Sequence, residues 1–462
     1  MWSVIAKGYL DGSLLQMERL KVFRYLCYYA QENVNFRLAE LYSIAKLLNV
    51  DLRVDTANYS DQNPFVRIGL PDEESAVKIL SRSVLIRSII DVWAQSTTYT
   101  DLFTQLKNLS EEKLTRFYKD DYTFSIRIES FNKKVPFSQQ KDLLMKLDFL
   151  PFGGSVKLKQ PDFTFYLLQD FGDDCNQPRE QPSRLFFGRL VSIVVFTTLS
   201  LVSANEIYYE TIKLLKENIL VTHLCLQNYA SLWRIKLWQV RPGSLIYDPF
   251  VGTGSITLAC AHFGAFTLGA DIDPNILHGR GRSSRAKGPK FRGPDENVYA
   301  NYCQYKLQSN FVDVMVLDAA KPAWKDGLHF DAIVTDPPYG IREGARKVLS
   351  KSDGAFAKTS QYNLSKVYKD LLSFAAKHLR MYGRLVFWLP FHRPSYTDEL
   401  IPKHPCLTVT SNSEQVLNSN IARRLITMEK TKTFHNDSIT DHTEANLQRL
   451  QDSFRDFYFK LQ

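Results

Sequence analysis

The sequence has no C-x-x-C pair and no cysteine–histidine spacing of the kind that holds zinc. Its six cysteines, Cys27, Cys175, Cys225, Cys260, Cys303 and Cys406, are scattered. That spacing excludes a zinc finger or ribbon, and no metal-ligand set is expected. Scattered thiols fit a reducing compartment, so a cytoplasmic protein is expected. The opening MWSVIAKGYLDGSLL lacks an apolar run of signal-peptide length. One uncharged run, residues 190–205, is apolar, but it is shorter than the roughly 20 residues a bilayer-spanning helix needs. No membrane span is expected.

The residues that are present suit a globular protein of more than one domain. A chain of 462 residues exceeds one ordinary core. Its net charge of +9 favours a polyanionic partner without requiring one. Residues 1–16 differ in texture from the rest of the chain and read as an extension preceding Met17. Residues 17–95 alternate helix-like and strand-like stretches: LYSIAKLLNV and ESAVKILSRSVLIRSIIDVW carry helical spacing, and FVRIGLP reads as a strand ended by Pro71. In residues 96–175, YTFSIRIESF alternates as a strand, SQQKDLLMKLDFL is helical, and GSVKLKQPDFTFYLLQDFG gives two strands broken at Pro161. Lys133, Lys134, Lys157 and Lys159 stand beside these elements, either as a solvated face or as contacts to an RNA backbone.

From about residue 240 to 430 the pattern changes to strands alternating with helices, which predicts a mostly parallel, doubly wound α/β sheet. Residues 431–462 read as a polar linker and a terminal helix. In such sheets ligands bind beyond the carboxyl ends of the strands, and the chemistry-bearing motifs fall there. DPFVGTGS at 248–255 follows strand-like LIYD. Gly252 and Gly254 permit conformations and close approach that a β-carbon forbids. GADIDP at 269–274 places Asp271 where a carboxylate can accept hydrogen bonds from a ribose diol, with Asp273 a neighbour or a helix cap. LDA at 317–319 puts Asp318 within reach of an adenine edge, or leaves it structural. Asn297 reads as a helix start, and His262 and His278 as ordinary helix residues.

The sharpest motif is Asp336-Pro337-Pro338-Tyr339-Gly340 after the apolar strand DAIVT. An exocyclic amine on a base is a poor nucleophile because its lone pair is conjugated into the ring. Methylating it needs acceptors aimed at its N–H groups, so that nitrogen can pyramidalise and lose a proton. Asp336 can supply one acceptor and the Pro337 carbonyl, held by the adjacent ring, a second. Tyr339 can stack on the base. Arg342, just beyond, can contact a phosphate.

DPFVGTGS, GADID, RGPDENVYANY and TDPPYGIRE together resemble the catalytic subunits of tRNA guanine-N2-methyltransferases acting at position 10. The resemblance covers about 17–189 and 240 onward. It implies a ferredoxin-like part and a THUMP domain that bind tRNA, followed by a Rossmann-like methyltransferase domain. It implies S-adenosylmethionine at Asp248, Gly252, Gly254, Asp271 and Asp318, the target amine at Asp336 to Tyr339, and a small zinc-binding activator subunit as partner. An adenine-N6-methyltransferase carries the same four-residue motif; the basic N-terminal half favours RNA.

Residues 190–239 depart from the family, which there carries a motif close to KKRxFxGNTSM and a helix ending near MAN that form part of the cofactor site. Neither occurs here. Permitted codons for 215–238, regrouped so that each third base joins the first two of the next codon, include KRKYFGNTSM and then MANQA. The stretch therefore reads as out of frame, and Val191-Ser192 can be encoded by the splice-donor-like GTAAGT. A chain with the printed segment lacks one wall of the cofactor site, so weak cofactor binding is expected of it; the alternative function is a tRNA-binding isoform without catalysis.

Overall fold

The computed structural model describes residues 23–193, 240–278, 297–321, 323–339, 346–348, 359–361 and 364–435. Most of the aberrant segment (194–239), Arg342 and the expected terminal helix lie outside the described residues. The chain divides into two compact units: residues 1–37 with 44–197, and residues 38–43 with 198–462.

The first unit is built on one eight-stranded sheet. Its strands are β1 (Tyr25–Tyr29), β2 (Arg53–Val54), β3 (Phe65–Gly69), β4 (Ile86–Ser96), β5 (Thr123–Phe131), β6 (Ser155–Val156), β7 (Phe163–Asp170) and β8 (Arg184–Ile193), in the order β2-β3-β1-β4-β8-β7-β5-β6. Antiparallel pairing of β4 with β8 joins the two halves expected on either side of residue 95, so both share one set of backbone hydrogen bonds. Gly188 of β8 lies so close to β4 that a β-carbon there would press on the Asp91 carbonyl.

Helical spacing across 74–93 predicts a helix for the whole stretch, and the structure corrects this. Helix α1 (Arg37–Leu48) is followed by α2, which spans only Glu73–Arg82. Asp72 caps α2 by accepting from the Ser75 N–H at 2.7 Å, and Glu73 and Glu74 suit its positive end. IRSIIDVWAQS then forms β4. Its two faces are both covered: Ile90 and Val92 pack with Leu26, Phe65 and Phe186, while Trp93 and Ala94 pack with Leu102, Phe117 and Phe165 on the other side. A strand buried on both faces reads as a continuous apolar run without alternation.

The second unit carries a seven-stranded sheet. Its strands are β9 (Leu245–Asp248), β10 (Phe266–Asp271), β11 (Phe311–Val316), β12 (Phe330–Thr335), β15 (Leu379–His392), β16 (Leu407–Val416) and β17 (Ile421–Lys430), and a separate two-stranded ribbon pairs β13 (Arg346–Val348) with β14 (Thr359–Gln361). The order is β11-β10-β9-β12-β15-β17-β16. The first five are parallel and β17 enters antiparallel between β15 and β16. Strand order reverses between β9 and β12, the switch point at which such sheets bind ligands.

Helices α3 (Tyr99–Lys107), α4 (Glu111–Leu114) and α5 (Phe137–Met145) belong to the first unit, and α6 (Ser255–His262), α7 (Pro274–Leu277), α8 (Val298–Gln304) and α9 (Leu364–His378) to the second. Along α9, Tyr368, Leu371, Leu372 and Ala375 form a helical stripe against Tyr247, Phe330 and Phe387 of the sheet. Val251, Ala261, Leu277, Val298 and Tyr302 form a separate core cluster.

Five cysteines, Cys27, Cys175, Cys260, Cys303 and Cys406, are free thiols. Among the described residues no helix is long and apolar enough to cross a membrane, and no cluster of His, Cys, Asp or Glu could hold a metal ion.

The first unit's core rests heavily on Phe165, fully buried, whose ring centroid lies 4.4 Å from Phe152, 5.2 Å from Trp93 and 5.4 Å from Phe117. Phe165→Ala should lower stability by about 3–5 kcal/mol, read as a shift of the urea midpoint followed by circular dichroism.

Candidate active site

The site sits where four parallel strands end. Asp248 closes β9 and is 1% exposed. Its Oδ1 accepts the Thr335 hydroxyl at 2.6 Å and the Phe250 N–H at 3.0 Å. Oδ2 is buried and has no hydrogen-bond partner among the described residues. Burial pushes this carboxyl up to about 7; the two hydrogen bonds oppose the shift, and the charges of Asp271 and Asp336 add to it.

The glycine turn leads from Asp248 into α6. Gly252 and Gly254 both take positive φ, 53° and 79°. A β-carbon on Gly254 would come within 2.5 Å of Val298, whereas one on Gly252 would meet nothing within 4 Å. Gly254 is therefore required by packing, and Gly252 borders open space. Asp271, at the end of β10, accepts the Gly252 N–H on Oδ2 at 3.0 Å and the Asp273 N–H on Oδ1 at 3.0 Å. Both oxygens of its carboxylate thus shape the turn. Asp273 caps α7 through the Asn275 N–H, and Asn297 caps α8 through the Ala300 N–H. Asn301 of α8 braces the turn by donating to the Thr253 carbonyl at 3.2 Å. Asp318, two residues past β11, is buried and accepts the Ala320 N–H at 2.9 Å.

Asp336 follows β12 directly. The Tyr339 hydroxyl donates to its Oδ1 at 2.5 Å. The structure thus engages the Tyr339 hydroxyl within the motif. Burial raises the Tyr339 pKa, the Asp336 carboxylate raises it further, and Arg423 opposes both.

Arg423, on β17, is a site residue that sequence reasoning misses. Its Nη1 reaches Asp336 Oδ2 at 3.4 Å and the Tyr339 oxygen at 3.1 Å. Its guanidinium lies 4.2 Å over the Trp388 ring, and its Nε donates to Gln415 Oε1 at 2.7 Å. Only the hairpin was signalled locally, not the reach of Arg423 to Asp336: LTVTSNSEQV and IARRLITMEK flank Asn418-Ser419-Asn420, a turn in which Asn418 Oδ1 accepts the N–H groups of Asn420 and Ile421.

The orphaned Asp248 Oδ2, the open floor at Gly252 and the acceptor at Asp271 fit a nucleoside-bearing cofactor with a cationic group. Among the basic candidates, Lys134, Lys157 and Lys159 are exposed. Lys133 is half-buried and donates to the Arg179 and Glu180 carbonyls at 3.2 and 2.9 Å, so it pins a loop of its own unit.

An acid whose folded pKa lies above its unfolded value holds its proton more tightly when folded. Asp248, raised from 3.8 to about 7, therefore contributes stability that is present at low pH and lost as pH rises across that interval, in total about 4 kcal/mol. Asp248→Asn keeps the shape and removes the ionisation. Thermal melts should show a flatter pH dependence for the variant and a higher melting temperature than wild type at pH 8.

Known proteins resemble the chain across both units. The Tmrp11 THUMP N-terminal domain family matches residues 23–194, and the RMKL-like methyltransferase domain family matches residues 235–393. The tRNA (guanine(10)-N(2))-methyltransferase TRMT11 of Gallus gallus is 38% identical over 459 residues, 95% of each chain. That of Homo sapiens is 38% identical over 94% of this chain and 95% of its own, and that of Dictyostelium discoideum 31% over 90% and 83%. Since that identity runs through both units and nearly the whole of each chain, this protein belongs to the TRMT11 family of tRNA (guanine(10)-N(2))-methyltransferases.

Proposed function

We propose that the chain transfers a methyl group from S-adenosylmethionine to the exocyclic N2 of guanosine 10 in tRNA. The observation that carries this reading is Asp336-Pro337-Pro338-Tyr339 at the end of β12, across the switch point from Asp248.

Asp271 would hold the ribose diol and Asp318 would face the adenine. Gly252 and Gly254 would let the backbone approach, and Asp248 would offer its unpartnered oxygen. The bound cofactor supplies an electrophilic methyl on a sulfonium. Asp336 and the Pro337 carbonyl would accept the N–H groups of the amine and leave its lone pair free to react, with Asp336 placed to take the proton that the nitrogen loses, while Tyr339 and Pro338 would border the base. Preorganised acceptors and positioning supply most of the rate.

The first unit would recognise tRNA by shape and backbone, with Lys134, Lys157 and Lys159 as phosphate contacts, and the target base would leave its stack to reach the pocket. A small zinc-binding activator subunit completes the assembly in this proposal, which is set in the cytoplasm.

A second reading, an RNA-binding chain without catalysis, draws on one observation: the two family matches leave residues 195–234 uncovered. Cofactor binding separates the two readings. Transfer of labelled methyl to tRNA should be lost in Asp336→Ala by at least about 100-fold, with an unchanged melting temperature. Sequencing the transcript across codons 186–242 should restore the NTSM and MAN motifs in frame; reads that keep the printed frame favour the second reading.

A further inference from the structure

Arg423 lies outside every motif, yet it is the one cation touching Asp336 among the described residues. Its side chain is 13% exposed against 35% for Asp336, so the carboxylate opens outward while the guanidinium backs it from within. The guanidinium is held three ways: stacked over Trp388, bonded through Nε to Gln415, and bonded through Nη1 to Tyr339 and Asp336. Trp388 is 1% exposed, and its backbone carbonyl accepts the Tyr368 hydroxyl at 2.7 Å. An arginine so immobilised is a rigid reference point.

The hydrogen-bond directions come from the donor inventory. Arg423 can only donate, so the Tyr339 oxygen accepts from it. The Tyr339 proton therefore points at Asp336 Oδ1. Both oxygens of the carboxylate are claimed from the protein side, Oδ1 by Tyr339 and Oδ2 by Arg423. Its plane is thereby set, and lone pairs remain on the open side for an incoming amine.

We propose that Arg423 is a positioning residue for methyl transfer: anchored on Trp388 and Gln415, it fixes the Asp336 carboxylate and the Tyr339 hydroxyl in the orientation that receives the target amine. This rests on the methyltransferase reading of the site. In this role Arg423 acts through the orientation of its two neighbours, Asp336 and Tyr339. A lysine is a compact point charge without the planar fork, so it can satisfy the carboxylate but not the stack and Gln415 together.

The test uses the full chain as wild type, Arg423→Gln and Arg423→Lys. Arg423→Gln should lower kcat about 10- to 100-fold, the scale of an ångström-sized misplacement. The KM for tRNA and the Kd for S-adenosylmethionine should stay within about threefold, because binding contacts are untouched. Arg423→Lys should recover part of kcat. In fluorotyrosine-labelled protein, the Tyr339 resonance, assigned by its loss in Tyr339→Phe, should shift in Arg423→Gln. An unchanged kcat in Arg423→Gln, an unmoved Tyr339 resonance, or a joint loss of cofactor binding and melting temperature in both variants overturns the proposal. If wild type transfers no methyl to tRNA, the methyltransferase reading fails and the role in methyl transfer falls with it; the Tyr339 resonance then decides only whether Arg423 anchors the Tyr339–Asp336 pair.

Discussion

Thr335 and Asp248 lie at the ends of neighbouring parallel strands, and the hydroxyl of one donates to the carboxyl of the other at 2.6 Å with both residues 1% exposed. Thr335 immediately precedes Asp336-Pro337-Pro338-Tyr339, and Asp248 opens the glycine turn. One buried hydrogen bond therefore ties the half of the site that suits a cofactor to the half that suits a base. In a low-dielectric interior such a bond is strong when made and costly when broken. It also orients Asp248, since the same oxygen takes the Phe250 N–H while the other stays buried without a hydrogen-bond partner among the described residues. The spacing between methyl donor and acceptor would then depend on two adjacent, hydrogen-bonded strand ends.

Those strand ends were legible in the sequence because everything that marks them is local. A short apolar strand, a turn that needs glycine, and an acidic residue in fixed order declare Asp248, Gly252, Gly254 and Asp271 without reference to the rest of the chain. Asp336 to Tyr339 are contiguous, and the chemistry of an exocyclic amine gives them meaning. Arg423 was not legible in this way. It meets Asp336 from 87 positions away, through a register between antiparallel strands that no local pattern specifies. The boundary between α2 and β4 was hidden for another reason: Ser83 and Ser88 are small and polar, and the apolar residues around them satisfy a helical period about as well as a two-sided strand. Lys133 resembles its exposed neighbours in sequence, and only the nearness of the Arg179 and Glu180 carbonyls separates it from them.

The first unit makes a complementary point about domains. The ferredoxin-like and THUMP regions implied by resemblance share β4 and β8 as a common spine. Aromatic rings crowd one face of that spine, with Trp93, Phe117, Phe152 and Phe165 in mutual contact. Two regions joined by a continuous ladder of backbone hydrogen bonds are held together by one sheet rather than by a linker.

Arg423 sits on the last strand of the sheet, and this has a consequence in time. During synthesis at about 5–20 residues per second, Asp336 precedes Arg423 by roughly 4 to 17 seconds. Over that interval the nascent chain already possesses every recognisable motif, while the Asp336 carboxylate still lacks the guanidinium that contacts it. Completion of that contact is thereby deferred to the closing hairpin of the sheet.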